Sequence, residues 1–161
     1  MYEFDRRTFL KFMSQGTAAL GMGLSGSVWA KTGSAPDYSK LIIKDLKDQE
    51  FDRIKVGNDK LGEPFEVLYS IIKSPRTMAP TPHVHDFPQY WFFWGANSND
   101  VFNFDAEVEF NLGGETHTIN VPFVVHIPAG VIHCPLRFTR VDKPIGYMEI
   151  CLAAEYSVKN I

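Results

Sequence analysis

From residue 65 to the C-terminus, apolar residues recur with the period of a strand and never with that of a helix. Val108, Phe110 and Leu112 alternate with Glu107, Glu109 and Asn111, as on an extended chain with one face buried and one wet. Similar short runs cover 65–73, 89–94, 115–121, 123–127, about 133–140 and 145–153. Turn chemistry separates them: prolines at 75, 80 and 82, Gly113-Gly114, and Pro128-Ala129-Gly130. The aromatic run Tyr90–Trp94 reads as a strand buried on both faces, filling the core with one or two rings walling a pocket. Residues 74–82 read as a loop, and 41–56 as a short helix or edge strand. Short strands of this kind cannot shield their edges singly. The pattern therefore predicts an all-β domain, a small antiparallel barrel or jelly roll of about seven or eight strands. No internal repeat is visible, so it is one unit.

The N-terminal residues read differently. Asp5-Arg6-Arg7-Thr8-Phe9-Leu10-Lys11 resembles the recognition sequence of a twin-arginine export signal, with a Gly-, Ala- and Leu-rich stretch to Ala30 behind it. Val28-Trp29-Ala30 offers a small residue at a cleavage point and an acceptable one two positions before it. The stretch is too rich in glycine, serine and polar residues for a membrane span, which argues against a permanent anchor. The expected organisation is a signal peptide at 1–30, a polar linker at 31–40 and a folded domain at 41–161. The expected location is periplasmic or extracytoplasmic, with the twin-arginine translocon as a transient partner. That pathway moves folded proteins, so a metal would be loaded inside the cell before export.

A chain of 161 residues suits one core after removal of a leader, and 45% apolar content excludes disorder. With a net charge of −3 and no basic run interleaved with aromatics, nucleic acid is excluded as a partner.

His83-Val84-His85 places two imidazoles on one side of an extended segment. A third, His133, follows the turn at Pro128-Ala129-Gly130. Imidazole is the commonest side-chain metal ligand near neutral pH, and three of them leave coordination positions open, as catalytic metal sites do. By themselves the residues also allow satisfied structural histidines.

Together these segments resemble the two motifs of the cupin superfamily. The first pairs H-x-H with a later glutamate and glycine, and the second reads P-x-G-x-x-H. His83, His85, Gln89 and Gly95 fall on the first, and Pro128, Gly130 and His133 on the second. Thr77 and Pro122 replace the leading glycines, Arg137 the closing asparagine, and Gln89 the glutamate. The resemblance implies a single cupin-type barrel or jelly roll binding one divalent ion (Mn, Fe, Zn, Co or Ni) through His83, His85, Gln89 and His133. For Gln89 three roles stay open: a ligand through its amide oxygen, a hydrogen-bond partner of a bound water or substrate, or a structural residue.

Other residues carry paired readings. Glu107 and Glu109 are substitute carboxylates or a solvated outer face, the second being favoured. Asp86 is read as orienting a histidine N–H. Arg137 anchors a substrate carboxylate or lies on the surface. His117 and His126 are read as core or surface residues. If residues 136–140 and 145–151 form a hairpin, Cys134 stands opposite Cys151 and the two can bridge. Otherwise both are buried thiols.

The expected function is that of an exported metal-dependent enzyme acting on a small oxygenated organic molecule, as a dioxygenase, decarboxylase, lyase or isomerase. The alternatives are a non-catalytic periplasmic protein that binds a metal or small ligand, and a metal-free epimerase-like cupin. Homodimerisation through an exposed edge strand is open to such a domain. Neither a G-x-S-x-G elbow, a phosphate-binding glycine loop nor a C-x-x-C pair offers competing chemistry.

Overall fold

In the computed structural model, residues 38–160 are described. The expected signal peptide, and all but the last residues of the expected linker, lie outside them. Among the described residues no helix is long and apolar enough to cross a membrane.

Among the described residues eleven strands follow a short turn of 3-10 helix at Tyr38–Leu41: β1 (Ile54–Val56), β2 (Glu66–Ile72), β3 (Arg76–Met78), β4 (His83–Val84), β5 (Gln89–Gly95), β6 (Ala106–Leu112), β7 (Glu115–Ile119), β8 (Phe123–Ile127), β9 (His133–Val141), β10 (Ile145–Cys151) and β11 (Lys159–Asn160). Among the described residues the one α-helical turn, α1, is Asn58–Leu61. One antiparallel sheet runs β1-β2-β10-β5-β8. The other runs β11-β4-β9-β6-β7, with β3 also on β9. Their inner faces enclose the core, built on Ile72, Phe93, Val108, Phe138, Ile145 and Tyr147 among others. Fully burying each such side chain contributes about 1.5–3 kcal/mol. This is the jelly-roll class that the strand periodicity predicts.

Three expectations need correction. The segment 74–82 is not all loop, because Arg76–Met78 pairs with β9. The aromatic strand β5 is not buried on both faces. Gln89, Trp91 and Phe93 point in, whereas Tyr90, Phe92 and Trp94 are only half-buried. Trp94 lies over Gly146 of β10 and stacks on Tyr69 of β2 at 5.8 Å, and Tyr90 stacks on its cross-strand partner His126 at 4.8 Å.

The third concerns β9 and β10, which do not form a hairpin. β9 pairs with β6, whereas β10 lies between β2 and β5 in the opposite sheet. Both strands carry large apolar side chains, Leu136 and Phe138 on one, Ile145 and Tyr147 on the other. Placed in opposite sheets, these residues face each other across the core. The connection between them is held to both sheets. Asp142 and Lys143 donate their N–H groups to Asp105 O, and Ala96 donates to Pro144 O. Cys134 and Cys151 are consequently not cross-strand partners, and both are buried free thiols. Burial is the main cause raising both thiols, that of Cys134 to about 12.

The motif glycines have backbone explanations. An ideal Cβ on Gly95 would stand 2.1 Å from Asn103 O, where the chain turns back after β5 and Gly95 N–H donates to Val101 O. Backbone cannot step aside as a side chain can. Gly95→Ala is therefore expected to cost on the order of 1–3 kcal/mol, read as a lower midpoint in thermal or urea denaturation. Gly130 has φ +79, open to glycine without penalty, and donates its N–H to His85 O at 2.8 Å. That bond ties the turn before His133 to the backbone of His85.

Candidate metal centre

The register brings the two sequence motifs together. His83 on β4 is the direct partner of His133 on β9, while His85 lies just beyond β4 on the same side as His83. All three are buried. Their ring centres are 4.5 Å apart for His83 and His133, 4.9 Å for His83 and His85, and 5.0 Å for His85 and His133.

Each ring is fixed by the same device. Nδ1 meets a backbone carbonyl: Thr81 O at 2.8 Å for His83, Ser157 O at 2.5 Å for His85 and Val131 O at 3.0 Å for His133. A carbonyl only accepts, so Nδ1 carries the hydrogen and Nε2 is left with a lone pair. For His85 and His133 that Nε2 is buried and, among the described residues, without a hydrogen-bond partner. Two such orphaned acceptors side by side are costly in a protein interior and match the donor chemistry of a divalent cation. Desolvation, helped by the neighbouring imidazoles, lowers His133 to about 4, and burial also lowers His85. Both are neutral at physiological pH, as ligation requires.

The cluster is not wholly symmetric. One donor atom each from His83, His133 and Cys134 lie within 4.8 Å of one another, and His85 stands outside that triplet. Cys134 is the weaker candidate of the four, since a thiol raised to about 12 must lose its proton to bind a metal.

Gln89 is the fourth expected residue, and β5 turns it inward to 1% exposure. Its Nε2 donates to Glu149 Oε1 at 3.0 Å and to Cys151 Sγ at 3.3 Å. Its Oε1 is buried and has no partner among the described residues. Glu149, on β10, also accepts from Tyr147 Oη at 2.8 Å and Cys151 Sγ at 3.4 Å. Burial dominates in raising its carboxyl above the usual range. A cavity of about 190 Å³ is lined by His83, His133, Gln89, Trp91, Tyr147 and Glu149, with Arg53, Lys55 and Tyr156 also on its wall. Trp91 Nε1 is a further buried polar atom without a partner among the described residues.

Glu149 is the residue that sequence reasoning overlooked. The signal was available: Ile145, Tyr147, Glu149 and Cys151 share one face of a period-two strand, so Glu149 had to point inward with its apolar neighbours. The carboxylates weighed in its place lie outside. Glu109 pairs with Arg137 at 2.6 Å and Glu107 accepts from Thr139 Oγ1 at 2.7 Å, so the solvated-face reading holds and Arg137 lies on the surface. Asp86 orients no histidine. It is exposed and bound to Lys159, and the backbone carbonyls perform that role. His126 is exposed against Tyr90, and His117 is half-buried 5.3 Å from Phe110.

No protein-family model and no curated protein matches the chain. Solved structures do. A recombinant oxalate oxidase in complex with glycolate superposes with TM-score 0.50 at 11% identity, over 90% of this chain and 73% of that one. The polyketide cyclase RemF from Streptomyces resistomycificus gives 0.47 at 15% identity, over 68% and 69%. A cupin protein from Bacteroides fragilis gives 0.45 at 15% identity, over 71% and 93%. Likeness at these identities speaks to fold alone. The fold is a single cupin-type antiparallel jelly roll.

Proposed function

We propose that this chain is an exported metal-binding cupin, and a metal-dependent enzyme acting on a small oxygenated organic molecule. His83, His85 and His133 hold one divalent ion through Nε2, with the Gln89 amide oxygen as a fourth donor. The observation that carries the reading is the set of Nδ1 bonds to carbonyls, which turns every Nε2 lone pair away from the backbone. Such a centre supplies Lewis-acid polarisation of an oxygen-bearing ligand.

The protein supplies the rest. A cavity of about 190 Å³ is smaller than the roughly 300–1,000 Å³ of drug-sized sites, so it admits only a molecule of a few non-hydrogen atoms. Trp91 lines the same cavity, and its buried N–H has no partner among the described residues. Glu149 brings a carboxyl to the same wall. That is the acid–base group turnover needs, and it favours an enzyme over a passive binder.

Residues 1–30 direct the folded, metal-loaded protein through the twin-arginine translocon to the periplasm. Cell fractionation with an antibody to residues 41–161 tests the location. Elemental analysis of purified mature protein is expected to give one transition-metal equivalent per chain, and the His83→Ala variant a small fraction of that. Equal metal in both removes His83 from the site. Turnover is then sought on panels of small carboxylic acids, enediols and diketones. Stoichiometric metal with no turnover on any of them moves the reading to a periplasmic metal-binding protein.

A further inference from the structure

We infer that Glu149 is the positioning residue that makes Gln89 a metal-facing oxygen donor. This rests on the metal reading above and adds to it a residue outside both motifs.

A glutamine at this place is ambiguous in a way a glutamate is not. Both carboxylate oxygens can meet a cation, whereas an amide has one oxygen that can and one NH2 that cannot. Something must decide which end turns to the histidines. Gln89 sits at 1% exposure, so solvent does not decide. The two acceptors behind it do: Glu149 Oε1 at 3.0 Å and Cys151 Sγ at 3.3 Å both receive Nε2. Reversing the amide would press its oxygen against Glu149 Oε1, acceptor to acceptor. It would also leave two N–H donors buried where Oε1 now stands unpartnered.

Glu149 is itself fixed. Tyr147 Oη donates to Oε2 at 2.8 Å and Cys151 Sγ to Oε1 at 3.4 Å. Three inward residues of β10 thus hold one residue of β5, with Cys151 and Gln89 paired in the ladder. The arrangement needs an oxygen acceptor facing Gln89, which the ionised carboxyl supplies and the neutral one supplies only while its proton is on Oε2. The glutamate missing from position 89 is in effect replaced by an amide and an acceptor behind it.

The test uses the full-length mature protein, stripped with a chelator and titrated with cobalt(II), whose visible absorption reports its ligands. Glu149→Met removes the acceptor and is expected to weaken cobalt binding about 10–100-fold, the range for partners behind a ligand, with an altered absorption band. Glu149→Gln keeps an acceptor oxygen and is expected to bind within about threefold of wild type, with the wild-type band. Wild-type affinity and spectrum in Glu149→Met overturn the inference. So does an equal loss in both variants, which would make charge and not orientation the operative property.

Should Glu149→Met fail to fold, NMR of the wild-type side-chain amide decides. On zinc binding, the Gln89 NH2 hydrogens stay protected from exchange while the Cδ resonance moves. Freely exchanging hydrogens or an unmoved Cδ in the zinc-loaded protein overturn it. Wild-type protein that binds neither ion removes the metal reading, and this inference with it. A loss confined to the Glu149 variants leaves the metal reading standing.

Discussion

Replacing His133 with alanine is expected to weaken metal binding by about 100–1,000-fold. Four-ligand zinc sites bind with roughly 10–16 kcal/mol, so an even share is about 2.5–4 kcal/mol per ligand. Competition with a chromophoric chelator measures it. The same substitution should leave the metal-free protein close to wild-type stability at neutral pH. Truncating a buried ring opens a cavity, but it also removes a buried Nε2 that no group satisfies, and the two effects oppose each other. Phe138, on the same strand and equally buried, supplies the contrast. Phe138→Ala is expected to cost about 3–5 kcal/mol of stability while leaving metal affinity unchanged in the folded protein. An His133→Ala protein that retains wild-type metal affinity removes His133 from the centre.

That contrast turns on information the sequence carried unevenly. Strand period and turn chemistry are local, so most strand positions and the jelly-roll class were legible from residue 65 onward. Pairing is not local. A four-residue connection, 141–144, between two β-runs reads as a hairpin, yet β9 and β10 lie in opposite sheets. Alternation marks which residues face inward, but not whether two strands meet edge to edge or across the core. The same parity marked Glu149 as an inward carboxylate. It lies outside both histidine motifs, where no local pattern ties a carboxylate to the site.

The groups that orient the histidines were hidden for another reason. Any residue supplies a carbonyl, so nothing in the identities of Thr81, Val131 or Ser157 announces a partner, and Ser157 reaches His85 from the C-terminal segment. Asp86 looked the better candidate only because a charged neighbour is visible in a sequence and a backbone oxygen is not.

The second large effect concerns acid. His133 is lowered from 6.5 to about 4, so between these values the unfolded chain takes up a proton that the folded chain refuses. Stability of the metal-free protein falls wherever the unfolded state binds more protons. His133 therefore makes no difference above about pH 6.5, and by pH 4 its burial costs about 3 kcal/mol, at 1.36 kcal/mol per unit. His85, also lowered by burial, adds in the same direction. Glu149 opposes them. Its carboxyl is raised, so the folded state gains a proton first and is favoured as pH falls toward the usual carboxylate range. Asp48, lowered chiefly by the Glu50 N–H and also paired with Arg53, weakens the fold only below the ordinary carboxylate value. A single denaturation curve would mix these contributions, but a difference between variants separates them. Urea unfolding of chelator-treated wild type and His133→Ala, from pH 7.5 to pH 4, should show the wild type losing about 3 kcal/mol more than the variant, mostly below pH 6.5. Parallel profiles would mean that the folded protein accepts a proton at His133 as readily as the unfolded chain. The ring would then be solvated, and a metal centre would lose one of its neutral ligands.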